Sequence, residues 1–339
     1  MELGLHVGHW QGDPQDVVPV AREAEALGYR SIWASEAWGS DVVTILTWIA
    51  AHTERIDVGA GVLQMPARTP AMTAMTAATL DHLSGGRFRL GLGTTGPAVS
   101  EGWHGVTFAD PIGRTREYVE LVRAMLRRDR PVRFDGVHYR LPAADATGAG
   151  RALKLGVRPL RTDVPIYLGA MGERNVALTA EIADGWMPLL FAPERAGVFA
   201  SALEDGFASR GGRPERFDVA PMAWIAIGDD LEACRNVVRP EIALYVGGMG
   251  PPERNFYNRL VARMGFEDAA RRVAEAYLDG RRAEASGAVP DDLVDAVALV
   301  GSADRVRDRL GAWREAGVTT LVARSSDVGQ VRALAEASR

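Results

Sequence analysis

The stretch RIDVGAGVLQMPARTPAMTAMTAATLDHLSGGRFRLGLG, Arg55–Gly93, decides the fold. Ile56 and Val58 open it as ordinary strand residues. Pro66 marks a turn, and from Pro70 the spacing predicts a helix that Gly85–Gly86 stops. Arg87–Gly93 reads as the next strand. A strand–helix–strand unit of this length places its two strands parallel. Gly59 and Gly61 flank Ala60 at the end of the first strand, where side chains would be expected. On the residues alone two readings stay open: a glycine-lightened barrel corner, or a place where a ligand meets backbone.

The same pattern repeats on both sides. LGLHVG (Leu3–Gly8) and SIWAS (Ser31–Ser35) precede the stretch as strands, each followed by an amphipathic helix, and a further helix runs from about Gly113 to Arg128. After it come VPIYLGA (Val164–Ala170), DGWMPLL (Asp184–Leu190), FDVAPMAWIAIG (Phe217–Gly228) and VTTLVAR (Val318–Arg324). VRFDGVHYRL, Val132–Leu141, alternates around Asp135–Gly136 and predicts a β-hairpin within a hairpin and loop insert at about 131–163. Helical sequence fills Asp230 to about Ala285, more than one crossover needs, so an insert is expected at about 247–290. Eight strands alternating with helices predict a (β/α)8 TIM barrel with insertions, one domain over residues 1–339. An open doubly wound sheet would need G-x-G-x-x-G after the first strand, and GHWQGDP does not supply it.

Composition narrows the function. A net charge of −5 argues against nucleic acid as the main partner. No apolar run reaches the roughly eighteen residues of a membrane span, and MELGLHVGHW has no basic n-region of a secretory signal. Cys234 is the one cysteine, so an internal disulfide is excluded and a reducing cytoplasm is the expected location. Lys154 is the one lysine and sits in a polar, Gly-rich neighbourhood, a poor setting for Schiff-base chemistry.

Barrel active sites lie at the C-terminal strand ends. There the sequence brings His9 and Trp10, Glu36 and Trp38, Thr94 and Thr95 with Trp103 and His104, and Trp186. The rim holds no H-x-H, no carboxylate cluster and no G-x-S-x-G, so no metal site is expected and metal-dependent or serine hydrolysis is disfavoured. Trp10, Trp38, Trp103 and Trp186 suit a flat organic ligand or a substrate. A redox cofactor fits such a mouth.

SIWASEAWGSD, VGAGVLQMPARTPAMTA, GGRFRLGLGTT and IYLGAMGERNVALTAEIADGW together resemble the bacterial luciferase-like superfamily, and within it the oxidoreductases that use the deazaflavin coenzyme F420. The resemblance implies a bulge on the third strand with a non-proline cis bond, here Gly61–Val62, supporting the ring from behind. It places Gln64 against the ring, Thr94 and Thr95 where relatives put polar groups over it, and Gly169, Ala170, Met171 and Gly172 at the coenzyme phosphate or its linker. Backbone N–H groups at a helix start make an anion site by themselves. Several relatives have Asp-His at the end of strand two; here the pair is Glu36–Ala37. Glu36 can still bind the ring and is a candidate catalytic residue; the histidine proton donor is not inherited, which leaves His9 and His104 as candidates for that part.

The resemblance implies hydride transfer between the deazaflavin and a small organic substrate, such as an alcohol/ketone pair, an imine or an activated alkene. The alternatives are an FMN-dependent monooxygenase on the same scaffold and a flavin- or deazaflavin-binding protein without catalysis. Relatives often pair as dimers, and the apolar face of TILTWIAAHT serves either a homodimer or the barrel core.

Overall fold

The computed structural model describes residues 1–8, 16–144, 147 and 149–339. Eight parallel barrel strands follow one another round a ring, helices outside. Glu2–His6 pairs with Ser31–Ala34, which pairs with Asp57–Ala60. Asp57–Ala60 and its continuation Leu63–Gln64 pair with Phe88–Gly93, and the ring goes on through Ile166–Leu168 and Gly185–Trp186. The seventh strand is broken by Ala220–Pro221 into Asp218–Val219 and Met222–Ile227. Its first half pairs with strand six and its second with the eighth strand, Thr320–Arg324, which pairs back to Glu2–His6. Hydrogen bonds from Ala220 N to Trp186 O and from Val322 N to Pro221 O carry the ladder across the break, so the ring closes.

The expected hairpin is present, Phe134–Asp135 antiparallel to Arg140–Leu141. The predicted third helix runs Pro70–Leu83, with the Thr69 side chain accepting from Met72 N and Gly85 and Gly86 both at positive φ beyond its end. The helical segment after strand seven resolves into Leu231–Gly248, Phe256–Arg263, Glu267–Leu278, Arg282–Gly287 and Asp291–Val297. One strand was not anticipated. Ala298–Gly301 pairs with Trp224–Ile227 and lengthens the sheet beside strand seven. Its apolar run is short, and no periodicity separates it from the helix before it.

Outward-facing strand residues pack against the helices in two large clusters, and a small third cluster fills the barrel. The interior is layered. At the N-terminal end Arg89 bonds Asp57 (Nε to Oδ2, 2.8 Å) and the Tyr167 hydroxyl (2.6 Å), while that hydroxyl donates to Asp218 at 2.8 Å. Burial, reinforced by Asp218, pushes the Tyr167 phenol far above its ordinary value, so it stays protonated as this donor. Above this layer lie Trp33, Tyr167, Met187, Ala220 and Val322. A β-carbon on Gly59 would stand 2.3 Å from the Trp33 ring. That glycine exists to admit an indole, and the packing reading wins there.

Gly59→Ala should therefore lower stability by about 1–3 kcal/mol, since a filled core must shift to accept the methyl group. Urea unfolding of the variant against wild type checks this; an unchanged midpoint would show that Trp33 moves freely.

Candidate active site

The inward-facing positions at the C-terminal end divide the mouth in two. Strands three, four and five supply Gly61, Gly93 and Gly169. Strands one, seven and eight supply His6, Trp224 and Arg324, which share one level through their pairing. The Gly61–Val62 bond is cis, as the resemblance implies. Gly61 N donates to Ala34 O at 2.7 Å, and Glu36 N donates to Val62 O at 3.4 Å.

The bulge turns Val62 into the glycine half. A β-carbon on Gly93 would meet Val62 Cγ2 at 2.5 Å, and one on Gly169 would meet Cγ1 at 3.2 Å. The isopropyl group is bedded on two strands that give up their side chains, and its other side stays partly open. The bulge thus presents the Val62 side chain, set in glycine, as a shelf at the mouth.

His6, which sequence reasoning did not single out, fixes the shelf from below. It is 3% exposed, its Nδ1 accepts from Gly8 N at 3.1 Å, and its Nε2 lies 3.2 Å from Gly61 O. A backbone N–H can only donate, so Nδ1 carries no proton and Nε2–H donates to the carbonyl. The available signal was its place in the inward series Gly4–His6.

Glu36 holds the far end. Its Oε1 accepts from Gln64 N at 2.8 Å and its Oε2 from Val42 N at 3.3 Å, and it forms an ion pair with Arg68, whose other arm reaches Asp41 at 2.6 Å. Its side chain is 6% exposed. Both oxygens are engaged, and Glu36 anchors the backbone of Gln64.

Gln64 joins three of the expected site residues. His104 Nε2 lies 2.7 Å from Gln64 Oε1, and Gln64 Nε2 lies 3.4 Å from Thr95 Oγ1. An amide oxygen only accepts, so His104 Nε2 donates and the amide N–H in turn donates to Thr95. Thr95 has φ of 55°, a left-handed conformation costly for a β-branched residue. Thr94 turns its hydroxyl to the Thr95 carbonyl at 3.2 Å.

The tryptophans separate. Trp38 and Trp103 are exposed at the rim. Trp186 does not line the mouth: it is 1% exposed, stacks edge-on against Phe199 at 4.9 Å, and donates to Ala170 O at 2.8 Å. It points outward into the helix layer because Gly185 and Met187, on either side, face inward. Gly169 serves the Val62 seat, and the Ala170 carbonyl is taken by Trp186. Met171 and Gly172 lead into the helix Glu173–Ile182, which no side chain caps at its start, and nothing lies within 4 Å of a β-carbon on Gly172. His9 and Trp10 lie outside the described residues. Among the described residues, no group of three or more His, Cys, Asp or Glu side chains is arranged to hold a metal ion.

The family model for luciferase-like monooxygenases matches residues 2–320. The chain is 45% identical, over 99% of its length and 98% of the relative, to a Mycobacterium tuberculosis protein carrying the provisional name coenzyme F420-dependent oxidoreductase. It is 31% identical to a 5,10-methylenetetrahydromethanopterin reductase of Archaeoglobus fulgidus, over 89% of this chain and 87% of that one. The fold matches the coenzyme F420-dependent tetrahydromethanopterin reductase of Methanopyrus kandleri with a TM-score of 0.82 at 24% identity, covering 99% of this chain and 97% of that chain.

Removing Arg68 tests the anchor. Arg68→Met strands the Glu36 carboxylate in a nearly dry site and should cost about 3–5 kcal/mol in urea unfolding. Glu36→Gln in the same chain should recover part of that loss; equal stability of Arg68→Met and wild type would show that the pair holds nothing.

Proposed function

The chain belongs to the luciferase-like monooxygenase family, and we propose that within it the protein is a coenzyme F420-dependent oxidoreductase acting on a small organic substrate. The observation that carries this reading is the 45% identity, along nearly the whole chain, to a relative provisionally named for that activity. The residues present fit the coenzyme. Val62 offers a flat apolar seat for a tricyclic ring. The uncapped start of Glu173–Ile182 offers backbone N–H groups to an anionic linker. When bound, a deazaflavin supplies hydride transfer at its C5.

The chain's own part is binding, orientation and proton handling. His6 and Glu36 fix the two ends of the segment 61–64, and Gln64 and Thr95 set polar groups beside the seat. His104 has its Nε2 held by Gln64, so Nδ1 is the atom able to give a proton to, or take one from, a substrate oxygen or nitrogen. Trp38 and Trp103 wall the approach. We read residues 1–339 as one domain, with the inserts shaping the substrate side. The free, buried Cys234 favours a cytoplasmic setting.

Neighbouring helices Val42–Ala51 and Pro70–Leu83 expose Trp48, Met72 and Met75, an apolar face that favours a homodimer. Light scattering should then give twice the chain mass, and the chain mass alone would remove the dimer from this reading.

Titration of the purified protein with oxidised deazaflavin and with FMN, followed by tryptophan fluorescence, decides the coenzyme. Quenching by micromolar deazaflavin is expected; quenching by FMN alone would establish the monooxygenase alternative, and binding with no turnover on any substrate a carrier. His104→Ala should slow turnover by about 100-fold while leaving the deazaflavin affinity unchanged.

A further inference from the structure

The half of the mouth built by strands seven and eight carries side chains that the hydride chemistry above does not use. Arg324 ends the eighth strand and pairs in register with His6 of the first and Trp224 of the seventh. His6 is bonded to the Gly61 carbonyl, so Arg324 stands one strand from the seat, on the same inward-facing level. Its guanidinium carbon lies 5.1 Å from the Trp224 ring centroid and 5.6 Å from that of Tyr245. Tyr245 comes from the helix Leu231–Gly248, and Tyr257 of the next helix packs edge-on against it at 4.9 Å. Strand seven and the helix after it therefore deliver an aromatic clamp to the end of strand eight.

The two rings also touch each other, with centroids 5.8 Å apart, so they pack on one side of the guanidinium and leave the other side open. Among the described residues Arg324 makes one hydrogen bond, from Nη1 to the Tyr245 hydroxyl at 3.3 Å. Glu241, half exposed, lies 3.7 Å from Nη2, an attraction without a hydrogen bond. A guanidinium has five N–H donors, and most of those of Arg324 have no partner among the described residues. The Trp224 Nε1 is also buried and has no partner among the described residues. A guanidinium with N–H donors to spare matches a planar carboxylate through two parallel N–H···O bonds.

We propose that Arg324, held by Trp224 and Tyr245, is the recognition residue for a carboxylate on the substrate, so that the enzyme acts on an organic acid with an apolar body. This rests on the oxidoreductase reading for what the site transforms. A dianionic phosphate would call for more than one cation, and the clamp supplies one. The other carboxylate source is the acidic tail of the coenzyme itself. Its proposed anchor follows strand five, three strands away from strand eight round the ring, which favours the substrate.

Benzoate and its neutral isostere benzamide are the probes. They are titrated into the deazaflavin-loaded protein, followed by the coenzyme's absorbance, and into the unloaded protein, followed by tryptophan fluorescence. Wild type should bind benzoate more tightly than benzamide by about tenfold, and Arg324→Gln should erase the difference with the deazaflavin affinity unchanged. Glu241→Gln removes the competing charge and should tighten benzoate, a gain that misfolding cannot mimic. Equal binding of the two probes to wild type overturns the proposal. So does an Arg324→Gln variant that loses deazaflavin affinity while wild type ignores benzoate, since the carboxylate would then belong to the coenzyme tail. Failure of the deazaflavin to bind at all defeats the coenzyme reading instead, and the unloaded arm still judges Arg324.

Discussion

An isopropyl group can stand where Val62 stands only because Gly93 and Gly169 have no β-carbons. Every other feature of the site serves that placement. Ala34 and His6 hold the two polar ends of Gly61, and Glu36 grips Gln64 one residue beyond Leu63. Arg68 pairs with Glu36 in a nearly dry place, and Asp41 pairs with Arg68. The segment 61–64 is thus held by four strands and a loop, the kind of support that keeps a site within about 0.5 Å of one geometry.

The mouth has a division of labour that follows from strand order. Three adjacent strands contribute glycine at the inward-facing upper level and make a smooth seat. Strands seven, eight and one contribute Trp224, Arg324 and His6 and make a wall. The His104–Gln64–Thr95 chain joins the end of the bulge to the loop after strand four, at the edge of the seat. A flat group and a second, smaller molecule can therefore be read by different halves of one rim.

Much of this was legible in the sequence where the signal is local. Thr69–Pro70 and Gly85–Gly86 punctuate the third helix within a single strand–helix–strand unit, and eight such units imply closure. The unusual bond at Gly61–Val62 was reached through the family resemblance, not through any residue alone. What escaped the reading depends on distant partners. Whether Glu36 is free or engaged is decided by Arg68, and only the folded bulge brings them together. The place of His6 at the mouth depends on Arg324, its neighbour across the closing seam. Trp186 is a different case: period-two alternation from Gly185 and Met187 already sends it outward, and its nearness to a strand end outweighed that rule.

The layer of Asp57, Arg89, Tyr167 and Asp218 plugs the opposite end of the cylinder with mutually satisfied charges. Among the described residues, side chains fill the barrel from this layer up to the seat. Two molecules that share a single doorway must queue: the one lying deeper arrives first and departs last. A plugged base thus turns depth in the barrel into an order of entry from the rim.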